Sequence, residues 1–149
     1  MIYGLVLLAV IIGTLMPVQA GLNAELTRIL KHPYLGAFIS LTTGAIAVLI
    51  LVLIKGIGMS ELKRMSEVSP HLYLGGILGA IFVGSSLFFI PKMGATPMIA
   101  AFITGQLVGS VLIDHYGLLG LASTPITMTR VLGVFLLFAG LFLVLKKSA

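Results

Sequence analysis

The stretch "ITGQLVGSVLIDH", Ile103 to His115, decides how the rest of the chain is read. It is apolar enough to be a buried helix, yet Gln106, Ser110 and Asp114 recur every fourth residue. On a helix they therefore lie above one another on a single face. Gly105 and Gly109 repeat the interval beside them. Such a helix needs surroundings that are apolar around most of its circumference and polar along one stripe.

Composition identifies those surroundings. Of the 149 residues, 59% are hydrophobic and 9% charged, and the mean hydropathy is +1.22. A soluble domain has about 25% charged residues. There is too little polar surface here to coat a globule in water, so the chain belongs in a bilayer. Cysteine is absent, which excludes a disulfide framework, a thiolate metal site and a thiol nucleophile. The net charge of +5 comes from basic residues scattered, singly or in pairs, around the ends of apolar runs. That is the pattern of membrane anchoring and not of a nucleic-acid-binding patch.

A spanning helix needs roughly 20 mostly apolar residues. Five runs qualify, at about 2–30, 34–54, 72–90, 96–115 and 128–145, which gives an all-α, five-helix transmembrane bundle forming one domain over 1–149. Tight connections fall at "HP" (32–33), "PKMG" (91–94) and "GLLGLASTP" (117–125), because proline and glycine break or cap helices. In "KGIGMSELKRMSEVSPH" (55–71), Ser60 suits an N-cap, and Met59, Leu62 and Met65 stand three apart. A short interfacial helix is expected there. Residues 5–16 followed by "VQA" imitate a signal peptide, but no Lys or Arg precedes the run. The segment is expected to stay in the protein.

Orientation follows the excess of Lys and Arg in cytoplasmic loops. One orientation places Arg28, Lys31, Lys92, Lys146 and Lys147 inside, and the other places Lys55, Lys63, Arg64 and Arg130 there. Five against four is almost no bias. Either one helix overrides a weak signal, or the chain inserts both ways and pairs as an inverted dimer, in the manner of transporters built from inverted repeats.

Two apolar runs carry amides. In the first, Gln19 and Asn23 stand four apart, with Thr27 next at that interval and Pro17 just before them. Pro17 lacks an N–H and is expected to kink the helix. The fourth run supplies Gln106 and Ser110. Unpaired amides among lipid tails cost several kcal/mol. Individually they read equally well as interhelical bonds worth about 0.6 kcal/mol each or as the lining of a wet cavity; two such faces together favour the cavity.

Small residues repeat every four positions at Gly36/Ser40/Gly44, Gly75/Gly79, Gly76/Ala80/Gly84 and Gly105/Gly109. That spacing suits close helix packing and an oligomer. Glu25 and Arg28, three apart, suit an ion pair within one helix, and Asp114 and Arg130 end up on one side of the membrane, where they can pair. The alternative for Glu25 and Asp114 is a protonatable carboxylate that couples protons to transport. Catalysis finds no support: His32, His71 and His115 lack metal-ligand spacing, and the four acidic residues form no evident pair. No metal, no cofactor and no enzymatic activity are expected.

The segments "VQAGLNAEL", "HPYLGAFISLTTG", "YLGGILGAIFV", "PKMGAT" and "TGQLVGSVLIDHYGLLG" together resemble the YdcZ-type family of the drug/metabolite transporter superfamily, over nearly the whole chain. The resemblance implies a multi-pass protein of the bacterial inner membrane, similar to one half of the ten-helix members whose halves are inverted repeats. A lone five-helix copy is then expected to form a homodimer, antiparallel in keeping with the charge count, and to export a small metabolite or drug. The key glutamate of the small multidrug resistance relatives lies mid-membrane, whereas Glu25 falls near a helix end.

On this reading Gln106 and Ser110 face Gln19 and Asn23 across a polar cavity near the midplane. The Pro17 kink lets the bundles rock so that the cavity opens to each side in turn. The amides bind a polar or amphipathic small molecule, and Met16 and Phe102 hold its apolar part. The rivals are an accessory packing subunit that moves nothing and a passive channel.

Overall fold

Pro17 shapes the start of the chain. Its missing N–H leaves the Gly13 carbonyl without its usual partner, and the first span is two helices, α1 (Ile2–Gly13) and α2 (Leu15–Leu30), broken at Thr14. The Thr14 N–H is shared between the carbonyls of Val10 and Ile11 at 3.2 and 3.1 Å, and its hydroxyl donates to Ile11 O at 2.6 Å. The computed structural model describes residues 2–58, 61 and 63–146. Met59, Ser60, Leu62 and Lys147 lie outside the described residues.

Helix α2 ends where Lys31 takes a left-handed conformation (φ 55°), and His32 is extended (φ −151°). Proline disfavours the helical conformation in the residue before it, so His32 must leave the helix. Pro33 then opens α3 (Pro33–Ile54) at a position that needs no N–H. Two 3-10 turns, Arg64–Glu67 and Pro70–Tyr73, precede α4 (Leu74–Met93). Gly94, at φ +83°, lets the chain turn directly into α5 (Ala95–Tyr116); a side chain there would strain the backbone. A loop leads to α6 (Met128–Lys146).

All described secondary structure is helical, and five helical stretches are long and apolar enough to cross a membrane: Ile2–Leu30, Pro33–Ile54, Pro70–Met93, Ala95–Tyr116 and Met128–Lys146. The chain divides into two compact units, residues 1–91 and 92–149. In the first, α2 packs on α3; in the second, α5 packs on α6. Buried positions are few. They are Ala20, Asn23, Gly36, Ala37, Ser86 and Leu87 in the first unit and Pro97, Met98 and Thr104 in the second, and α1 and α6 contribute none. Large apolar side chains face outward along every span, as a hydrocarbon solvent permits.

The first unit closes at Gly36. Its Cα lies against Thr27 of α2, and a methyl group added there would overlap the Thr27 hydroxyl and stand 3.4 Å from Leu87 Cδ1. Three helices meet at this point, and Leu87 is the most deeply buried large side chain described, at 1% exposure. The other small-residue repeats behave differently. A Cβ added at Gly44, Gly75, Gly76, Gly79, Gly84, Gly105 or Gly109 meets nothing within 4 Å. Within its own unit none of these positions lies at a helix crossing. Spacing places small residues on one face but does not supply a neighbour for it.

Replacing Gly36 by Ala is expected to lower stability by about 1–3 kcal/mol through overpacking, read from thermal unfolding in detergent. T27A alone should be near neutral, because it deletes a buried hydroxyl that lacks a hydrogen-bond partner. The double variant should recover most of the loss. Simply additive losses would show that the two residues do not share one crossing.

Candidate functional site

The amide-bearing face of α2 changes character along its length. Gln19 is exposed, Asn23 one turn later is 8% exposed, and the Thr27 hydroxyl one turn further is enclosed with no hydrogen-bond partner. Successive i+4 steps thus run from an open surface into the crossing at Gly36. Gln19 is the eighteenth of the 29 residues of its span, close to the middle.

On α5, Gln106 is the twelfth of 22 residues and therefore central. Gln106 and Ser110 are both exposed. The Ser110 hydroxyl donates to the Leu107 carbonyl at 2.9 Å. Thr104, 3% exposed, does the same to Ala100 O at 2.8 Å; this buried hydroxyl went unnoticed in the sequence, where only the stripe of larger polar groups drew attention. A hydroxyl can satisfy its single donor on a carbonyl of its own helix. A carboxamide carries two donors and an acceptor, and among the described residues Gln19, Asn23 and Gln106 make no side-chain hydrogen bond. The first pair shares one face of α2, and Gln106 and Ser110 share one face of α5.

Both carboxylates named from the sequence are engaged. Arg28 donates to Glu25 through Nε at 2.9 Å and through a terminal nitrogen at 2.5 Å, with both side chains exposed. Arg130 reaches Asp114 at 3.4 Å. Asp114 belongs to a larger arrangement that secures the loop after α5. The Thr124 N–H donates to the Asp114 carbonyl at 2.7 Å, the Ser123 hydroxyl to the His115 carbonyl at 2.9 Å, and the Ile126 N–H to His115 Nδ1 at 3.3 Å. Gly117 (φ 60°) turns the chain here, and a side chain on it would press on Ser123 and the Leu121 carbonyl. The stripe of the opening stretch therefore has two parts. Gln106 and Ser110 are open, and Asp114 is structural furniture at the span's end. No periodicity foretold the part played by His115, since its partners are eight and eleven residues away.

A further feature had no sequence signal. An apolar cleft of about 680 Å³ lies between α3 and α4, with Tyr34, Ala37 and Phe38 on one wall and Ile81, Gly84 and Phe88 on the other. Its lining residues are separated by some forty positions of sequence, and only the folded pair of helices brings them together.

Five apolar spans, two of them carrying amides, define a multi-pass α-helical membrane protein. Residues 4–143 match the family described as "Putative inner membrane exporter, YdcZ", and the chain belongs to that family. No curated protein and no solved structure matches the chain.

Hydrogen exchange tests the loop. The Thr124 and Ile126 amides are expected to exchange more slowly than that of Leu119. H115A should cost Ile126 about tenfold in protection while leaving Thr124 unchanged; equal loss at both would mean that the loop opens as one unit.

Proposed function

We propose that this protein exports a small polar or amphipathic molecule across the inner membrane of a bacterium, by alternating access and as a homodimer. The observation that carries the reading is the set of mid-span amides without a protein partner, in a chain that belongs to a family of exporters. In hydrocarbon each unsatisfied polar group costs several kcal/mol. Water or solute along a hydrated path meets that demand. The Gln19/Asn23 face of α2 and the Gln106/Ser110 face of α5 each offer hydrogen bonds to a passing solute. The break at Thr14, created by Pro17, lets α1 move against α2. Binding and movement of this kind need no cofactor and no catalytic group.

If a proton gradient drives export, Glu25 and Asp114 are the carboxylates that would carry the proton, and each would first have to release its arginine. The near-equal count of basic residues on the two sides supports two copies of opposite orientation.

Purified protein in liposomes, challenged with a library of metabolites and drugs, tests the assignment. N23L and Q106L should each lower the initial rate at least about tenfold, the equivalent of about 1.4 kcal/mol, with the dimer intact. Loss of the dimer instead would make the amides interhelical bonds. Flux that never runs uphill would make the protein a channel, and no flux of any solute would make it an accessory subunit.

A cysteine introduced at Lys147 should react with impermeant reagents from both sides of the membrane. Reaction from one side alone would exclude the antiparallel dimer.

A further inference from the structure

The cleft between α3 and α4 points to a binding site separate from the amides, and we propose that it holds one acyl chain of a membrane lipid with an anionic headgroup. The inference is independent of the export reading.

Length is the first argument. The lining runs from Pro33 to Leu41 on α3 and from Phe89 back to Ile77 on α4. At 1.5 Å per residue these stretches are about 12 and 18 Å long. One leaflet of the hydrocarbon core is about 15 Å thick. A helix of a partner crosses the full core of about 30 Å. The cleft begins at the end of a span, since Pro33 and Tyr34 open α3. Its wall on α3 stops short of that helix's midpoint, and its wall on α4 passes the midpoint and ends at Ile77, within a turn of that helix's start. At about 18 Å the cleft is close to the length of one acyl chain and shorter than a spanning helix.

Shape and chemistry agree. The 680 Å³ of the cleft falls within the range of about 300–1,000 Å³ found for small-ligand sites. The walls are aliphatic and aromatic, and Gly84 opens space that a side chain would otherwise occupy.

Charge supplies the headgroup. Lys31 and His32 directly precede Pro33 at the mouth, and the His32 ring stands 5.7 Å from that of Tyr34, which lines the cleft. Arg28, one turn back, is neutralised by Glu25. Lys31 thus puts a positive charge at this end of an apolar cleft, which matches an anionic headgroup above a buried chain.

Native mass spectrometry of the full chain, exchanged into a mixture of phosphatidylglycerol and phosphatidylcholine, tests this. The wild type should retain one lipid per chain with phosphatidylglycerol preferred. K31N removes the charge with a residue that tolerates the left-handed conformation, and should lower that preference about fivefold without lowering the number of lipids held. G84F places its ring in open space and should lose the bound lipid, with circular dichroism and elution volume unchanged; A80L, smaller and on the same wall, serves if G84F does not fold. An unchanged lipid count in a folded cleft-filling variant would overturn the proposal. So would dissociation of a dimer by that variant at constant lipid count, which would make a second copy the occupant.

Discussion

A polar group inside hydrocarbon has no water to bond and must bring or find a partner. Backbone groups meet this requirement by closing into helices. Hydroxyls meet it by folding back on their own helix: Thr43 on Ile39, Ser86 on Val83, Thr104 on Ala100 and Ser110 on Leu107. Carboxamides cannot be satisfied by carbonyls alone, because they also carry an acceptor. Gln19, Asn23 and Gln106 are left over from this accounting, as is the Thr27 hydroxyl enclosed at the Gly36 crossing, and the export proposal assigns the three amides to a hydrated solute path.

The helices are delimited by residues that cannot continue them. Pro17 breaks the first span three residues upstream, Pro33 forces His32 to be extended, and Gly94 carries the chain between two helices in a conformation that costs other residues strain. Loops of one or two residues leave α2 and α3 no choice but to lie side by side. Their contact is then set by the smallest available surface, Gly36 against Thr27.

Charge is confined to span ends, where its burial costs least. Glu25 is held by Arg28, and Asp114 by Arg130 at the foot of a loop secured by His115. The mouth of the α3–α4 cleft lies in the same kind of place, beside Lys31 and His32.

Hydropathy alone determined the helical class, the existence of five spans and their approximate limits, because a bilayer demands long, internally bonded apolar segments and leaves little freedom. Spacing of four residues likewise determined the two polar faces, and spacing of three the Glu25–Arg28 pair, since both are properties of a single helix. Only the tertiary structure decided that Gly36, of all the glycine repeats, is a crossing, that His115 closes a loop, and that a cleft opens between α3 and α4. Those features depend on which face meets which neighbour, and helical periodicity fixes a residue's direction from its own axis without saying what stands opposite.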